Sequence, residues 1–389
     1  MLIINARIIT MEKKDFGNGY ILTKENKIFD IGDMKNINLD AYKLEETINA
    51  EGLTAYPGFI DPHCHMGMWD DGLDFEGDDG NEITDPVSPQ LRAIDAINPN
   101  NISFKEAYEN GITTVVTGPG SANVICGQFC AIKTYGKRVD DMIVKAPVSM
   151  KFAFGENPKN CYNDKDETPM TRMATASLIR EALEKAKRYN ESIEKAKKDS
   201  DYDMPEYEAK YEALIPLFNH KLKAHIHAHR RDDIFTAIRI MKEFDINYSL
   251  VHCTEGYLIA DILEKEKCEV ISGPIISTRT KPELRYASPE NPAILDKNNV
   301  GVSISTDYPE TPINYLPLCA GIAEKNGLPH KKALEAITIT AAKHCGIDSI
   351  VGSLKKGKAA DIVLFKEDPL TIAAKPSVVI IDGKIVHNV

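Results

Sequence analysis

Eight short apolar runs recur between residues 54 and 305, and the spacing between them restricts the fold more than any other feature. They are Thr54 to Ile60, Thr113 to Thr117, Gln128 to Lys133, Val148 to Phe152, Leu222 to Ile226, Tyr248 to Val251, Glu269 to Ser272 and Val300 to Ser305. Runs this short suit strands buried on both faces, and helical patterns between them argue for parallel βαβ units. Eight such units can close a sheet on itself, so the expected core is an α/β fold, a (β/α)8 TIM barrel of ~250 residues. A chain of 389 residues leaves room for an appendage.

The surplus lies at both ends. Leu2 to Leu53 reads as short antiparallel strands with turns at Gly17-Asn18-Gly19 and Gly32-Asp33. At the other end, Gly352 to Asp361 leads into a strand from Ile362 to Phe365, and Val378 to Ile381 turns at Asp382-Gly383 into Lys384 to Val386, a type I′ hairpin signal. The shared texture predicts a small composite β-sandwich from residues 1–54 and 355–389, with the barrel over 55–354. A charged helical excursion interrupts the barrel at about 168–215. Thr168-Pro169 offers an N-cap and a first-turn proline, and Leu178, Ile179, Ala182, Leu183, Ala186, Tyr189 and Ile193 recur at helical spacing.

A net charge of −11 and a pI near 5.5 argue against general attraction to nucleic acid or anionic membrane and favour a small-molecule substrate. The first residues lack a basic start and a cleavage signal, and no stretch reaches ~18 uncharged apolar residues. The expected location is cytoplasmic, and a homo-oligomer is allowed. Eight cysteines without a CxxC pair suit free thiols in a reducing compartment.

Chemistry concentrates at the ends of the expected strands. Pro57 to His65 is an apolar strand ending in His63-Cys64-His65. Residues i and i+2 of a strand point the same way, so both imidazoles can face one cation while Cys64 points to the core. Three more strand ends carry candidate ligands: His227-Ala228-His229, His252 and Asp307. The mouth of a barrel lies at its C-terminal strand ends, so these groups would converge.

With PGFIDPHCH, His-Ala-His, a histidine after the sixth strand, an aspartate after the eighth and GSLKKGKAADIVLF near the end, the chain resembles the amidohydrolase superfamily, in its imidazolonepropionase-like and Xaa-Pro-dipeptidase-like branch. The resemblance implies a hydrolase that cleaves a C–N bond, of an amide or cyclic amide, with zinc or another divalent transition metal, one or two ions per chain. It implies that His63, His65, His227 and His252 bind metal, that Asp307 binds metal and moves protons, and that His229 contacts substrate. His225 reads as a packed strand histidine. On the fourth strand the ligand is either Lys151, as a carboxylated lysine, or Glu156; an unmodified ammonium cannot coordinate a cation.

Asn123, Gln128, Glu255, Arg279 and Tyr308 flank the expected mouth and are candidate substrate contacts. Arg230 and Arg231 could grip a carboxylate, although Asp232 and Asp233 stand ready to neutralise them. Asp70, Asp71, Asp74, Glu76, Asp78, Asp79, Glu82 and Asp85 make the first loop acidic, either as a solvated loop or as an attraction for a cationic group. Two enzyme readings follow, a cyclic amidohydrolase like imidazolonepropionase and a prolidase-like dipeptidase. A non-catalytic binding module is the third, and five convergent ligands argue against it.

Overall fold

The computed structural model describes residues 1–42, 45–70 and 74–389; Asp71 of the acidic loop lies outside the described residues. Both ends of the chain enter one sheet. From the first end come β1 (Leu2–Ile8), β2 (Phe16–Lys24), β3 (Lys27–Asp33), β4 (Thr47–Asn49) and β5 (Thr54–Pro57). The barrel strands are β6 (Phe59–Cys64), β7 (Ile112–Thr117), β8 (Ile125–Lys133), β9 (Ile143–Ala153), β10 (Lys223–Ala228), β11 (Tyr248–His252), β12 (Glu269–Ser272) and β13 (Gly301–Ile304). The chain then returns through β14 (Ile362–Phe365), β15 (Pro376–Ile381) and β16 (Lys384–Asn388).

The terminal strands pair in the order β16-β15-β14-β5-β1-β2-β3, with β4 beside β1. They form one continuous sheet around a shared core that includes Ile3, Ile21, Ala55, Ile362 and Ile380. The hairpin between β15 and β16 turns at Asp382 and Gly383, both with positive φ, as a type I′ turn requires. Gly17-Asn18-Gly19 is not a turn. It lies inside β2, and Gly19 pairs with Ala6 and Asp33, where a Cβ would press on the Ile8 side chain and the Gly32 carbonyl. Close packing of three strands requires that glycine.

The expected first barrel strand, Thr54 to Ile60, divides at Gly58. Thr54–Pro57 belongs to the terminal sheet and Phe59–Cys64 to the barrel. The eight barrel strands follow one another in sequence order from β6 to β13. They are not all parallel, as expected from the alternation: β8 runs antiparallel to both β7 and β9. Only residues 118–124 and 134–142 connect these strands, and a parallel crossover needs about a dozen residues or more. The remaining pairs are parallel.

The first and last barrel strands meet through the Asp61 side chain and a backbone hydrogen bond. Asp61 on β6 accepts hydrogen bonds from Thr306 N (3.0 Å) and Thr306 Oγ1, just past β13, and from His63 N. His65 N donates to Tyr308 O at 2.8 Å. On the outer face Met150, Phe152, Ala224, Ile226 and Ala228 pack against helices, and the alternate residues Lys151, His225 and His227 are left for the interior.

The excursion begins later than Thr168-Pro169 suggested. The helix runs Arg172–Lys198, capped by the Thr171 side chain on Ala174 N. Its buried face includes Ile179, Ala182, Leu183 and Ala186, and Glu181–Lys185 and Glu184–Arg188 pair on the exposed face. A second helix, Ala209–Phe218, follows. No helix among the described residues is long and apolar enough to cross a membrane.

Gly58, where the two sheets part, faces the buried Thr113 side chain so closely that a Cβ would overlap it. Gly58→Ala is therefore expected to destabilise the fold by about 1–3 kcal/mol, as overpacking does. Urea unfolding measures this, and adding Thr113→Ala should recover part of the loss.

Candidate metal centre

Strand alternation and two unusual backbone positions bring the ligand types together. His63 lies on β6 and His65 one residue beyond it, while Cys64 between them packs into the apolar core. His227 lies on β10 with His229 just after it. His252, the last residue of β11, has φ 67°, and Asp307, beyond β13, has φ 54°. Left-handed backbone costs a non-glycine residue roughly 1–2 kcal/mol and persists where the surroundings hold it.

Two groups result. Ligand atoms of His63, His65 and Asp307 lie within 4.8 Å of one another, and so do those of His227, His229 and His252. His65 Nε2 is 3.4 Å and His63 Nε2 3.7 Å from Asp307 Oδ1. Asp307 Oδ2 lies 3.9 Å from the His252 ring, which relates the two groups. Lys151 is fully buried, with Nζ 2.8 Å from His63 Nε2.

Second partners orient the rings. His65 Nδ1 donates to Gly118 O and His252 Nδ1 to Gly273 O, each at 2.7 Å. A carbonyl can only accept, so both rings carry the proton on Nδ1 and turn a bare Nε2 lone pair inward. Thr254 Oγ1 lies 2.7 Å from His229 Nδ1 and Ser121 Oγ 3.0 Å from His227 Nδ1. His227 Nε2 is buried without a hydrogen-bond partner, a state that costs about 1–3 kcal/mol unless something binds there. Imidazole lone pairs held from behind, together with a carboxylate, are the donor set of zinc and similar divalent cations, and the residues fit such an ion.

Electrostatics agree. Burial, and then positive charge on neighbours, holds His63, His227 and His229 far below the ordinary histidine range; burial, opposed by Asp307, lowers His252 to about 4. The rings are thus neutral and able to coordinate. Burial pushes the Asp307 carboxyl up, but His252, His65 and Lys151 outweigh it and the net shift is downward, so Asp307 is ionised. Burial lowers Lys151 to about 8.

Other candidates lie elsewhere. Glu156 starts the helix Glu156–Asn163, and its backbone N donates to the Glu283 carboxylate while its own carboxylate accepts from Glu283 N, instead of joining either group. Asn123 is engaged by Tyr162, Glu82 and Ser88, and Gln128 by Pro89. Arg230 forms a fork with Asp232, and Glu255 accepts from Arg231 N. Tyr308 packs in the apolar core. His225 is buried one residue pair deeper than His227, level with Lys151. Arg279 does line the cavity of about 1040 Å³ that opens over both groups, together with His65, His227, His229, His252 and Asp307.

Sequence reasoning missed Trp69, whose ring meets His65 edge-on, and Ser121. It also missed Lys281 and Glu283, in the loop between β12 and β13. Glu283 is 1% exposed, with Oε1 3.6 Å from His229 Nε2. No periodicity marks loop residues, so only their charge could have drawn notice.

The sequence matches the amidohydrolase family over residues 54–386. A solved structure described as an amidohydrolase from Thermotoga maritima is 36% identical, with a TM-score of 0.94 over 100% of this chain and 99% of that one. The "Amidohydrolase tasK" of Hapsidospora irregularis is 27% identical over 358 residues; the match covers 86% of this chain and 36% of that protein, so the chain spans about a third of its length. An imidazolonepropionase of Flavobacterium psychrophilum is 24% identical over 91% of this chain and 86% of its own.

The buried imidazoles set a pH dependence. From their ordinary value of 6.5 down to about 4, where His252 takes its proton, the unfolded chain binds more protons than the folded one, so stability falls as pH falls. Chelator-treated protein should melt at steadily lower temperature through that window. Zinc should shift the loss to lower pH, because proton and cation compete for the same nitrogens. Melting curves with and without zinc test this, and a flat profile from pH 6.5 to 4 counts against it.

Proposed function

We propose that this chain, a member of the amidohydrolase family, is a hydrolase that opens a C–N bond of a small cyclic amide, in the manner of an imidazolonepropionase. The observation that carries this reading is the convergence of two histidine groups on one ionised carboxylate, Asp307, at the floor of a cavity of about 1040 Å³.

In this reading His63, His65 and Asp307 would hold one divalent cation and His227 and His252 a second, zinc or another transition metal. Such ions, when bound, lower the pKa of water to ~7 and polarise a carbonyl. Lys151 is the fourth-strand residue we assign as a further ligand. It is buried against His63, and as an N-carboxylate it would offer two oxygens, whereas the unmodified ammonium has no lone pair to give a cation. The hydrogen bonds between Glu156 and Glu283 favour Lys151 over Glu156 for this role.

Asp307 receives the proton of the attacking water and delivers it to the leaving nitrogen, one carboxylate acting as base and then acid. Its ionised state suits the first task, and its approach to His65, His63 and His252 fixes where the proton is held. His229, with Nδ1 against Thr254, presents Nε2 on the cavity side toward the substrate carbonyl. Trp69 and Ser121 complete the walls of the cavity beside His65 and His227 and limit water around the reacting atoms.

The test is a panel of cyclic ureides, cyclic amides and Xaa-Pro, Xaa-Arg and Xaa-Lys dipeptides offered to zinc-loaded protein. Turnover of cyclic members is expected; turnover of dipeptides alone would move the assignment to a dipeptidase. On the best substrate, Asp307→Asn should lower kcat by about 10²–10⁴-fold, since the amide keeps the volume but cannot accept the proton.

Metal analysis separates the fourth-strand candidates. Lys151→Ala is expected to lose at least one ion per chain together with activity, and Glu156→Gln to keep both. The reverse pattern would return the role to Glu156.

A further inference from the structure

Lys281 stands out among the residues that the mechanism above leaves unused. It lies in the loop between β12 and β13, in extended backbone (φ −141°, ψ 157°), two residues after Arg279. Residues i and i+2 of an extended segment face the same side, and both of these cations line the cavity over the histidines.

The lysine is held on purpose-built supports. Its Nζ donates to Asn157 Oδ1 at 2.9 Å and forms an ion pair with Glu283 Oε1, also at 2.9 Å. Glu283 is 1% exposed at its side chain, whereas Lys281 is 29% exposed. Glu283 is itself fixed, because its Oε2 accepts from Glu156 N. The carboxylate is therefore enclosed in protein while the ammonium remains reachable from the cavity. An ammonium has three N–H donors, and its hydrogen bond to Asn157 uses one of them, so that donors remain for a ligand beside the Glu283 ion pair.

Neutralising Glu283 does not by itself require this arrangement. A buried acid is satisfied by any cation beside it, but here the cation is pinned from two elements, the helix Glu156–Asn163 and the β12–β13 loop, at the wall of the cavity. Glu283 Oε1 lies 3.6 Å from His229 Nε2 and 4.0 Å from His227 Nε2, which puts the ammonium in the neighbourhood of the second histidine group. A cation so placed can contact a part of the substrate some ångströms from the bond that breaks, and charge-assisted hydrogen bonds to carboxylate are about twice as strong as neutral ones.

We propose that Lys281, positioned by Glu283 and Asn157, binds a carboxylate of the substrate, so that the hydrolysed amide belongs to a molecule carrying an acid group. The inference rests on the hydrolase reading only for its choice of ligands. Glu283 and Asn157 are positioning residues, since they reach the substrate through the lysine.

The experiment pairs free acids with their carboxamides: a hydantoin bearing a short acid side chain and its carboxamide, and alanyl-proline and its carboxamide. Binding to zinc-loaded protein is measured by calorimetry, and kcat and KM are measured wherever turnover occurs. Wild-type protein should bind at least one acid tenfold or more tighter than its amide. Lys281→Met should weaken acid binding by about 10–100-fold, the scale of one hydrogen bond to a charged group, and should affect the acid more than the amide. Lys281→Arg should keep most of the preference.

Removing Lys281 alone leaves Glu283 buried and unpaired, which endangers folding. The Lys281→Met/Glu283→Met variant carries the same test without that charge. An equal effect on acid and amide, a wild-type preference that survives both variants, or no binding of either acid overturns the proposal. Lysine-dependent binding of acids by a protein that cleaves nothing on the whole panel would support it and count against the hydrolase reading instead.

Discussion

A single buried carboxylate holds the two ends of the barrel together. Asp61, wholly enclosed, accepts hydrogen bonds from Thr306 on one side and from His63 N on the other. These are not neutral places in the chain. His63 is a candidate ligand and Thr306 precedes Asp307, so the interaction that joins β6 to β13 also sets the distance from the His-x-His pair to the carboxylate. Burial pushes Asp61 up to about 7, opposed by Thr306 and His63 N. Donors from both strand ends satisfy the buried carboxyl, and a shift of either strand would leave it enclosed without them.

The same reasoning accounts for the texture of the centre. Four rings are backed on Nδ1 by a carbonyl or hydroxyl, and none of those partners belongs to the strand that carries the ring: Gly118 serves His65, Ser121 serves His227, Thr254 serves His229 and Gly273 serves His252. Each ring is thus held from a neighbouring element, so orientation depends on the loops at the mouth and not on the strands alone. The barrel positions the Cα atoms, and the loops orient the rings and, through the carbonyls of Gly118 and Gly273, fix the tautomers of His65 and His252. This division explains how left-handed backbone at His252 and Asp307 can be sustained, since both side chains are held at their far ends as well.

Much of this was legible in the sequence, and the limits of legibility have physical causes. Period-two alternation set His63 and His65 on one face, position at a strand end marked His252 and Asp307, and the resemblance to the family chose His227 over His229. The apolar runs located the barrel strands. Alternation carries no direction, however, so the reversal of β8 could be read only from how short its two connections are. Gly17 and Gly19 resembled a turn because glycine serves turns and close strand packing alike. Asn123, Glu255 and Tyr308 lay near the mouth in sequence, yet their partners are loop and core atoms that no spacing reveals.

The contrast between Glu156 and Glu283 shows where sequence proximity misleads. Glu156 follows the fourth-position strand by only a few residues and has the right chemistry for a bridge. Gly155 turns the chain with φ 84° before it, and a Cβ there would meet Glu283 Oε2 and Asp233 Oδ2. The turn sends Glu156 outward to start a helix and aims its backbone N–H at Glu283, a carboxylate more than a hundred residues away in the chain. Glu283, not Glu156, is therefore the acid beside His227 and His229, although no rule of spacing could have chosen it. What decides the matter is that a helix N-terminus offers free N–H groups and a buried carboxylate needs donors. That mutual requirement ties the loop after β12 to the segment after β9 and encloses the cavity on the side where Lys281 stands.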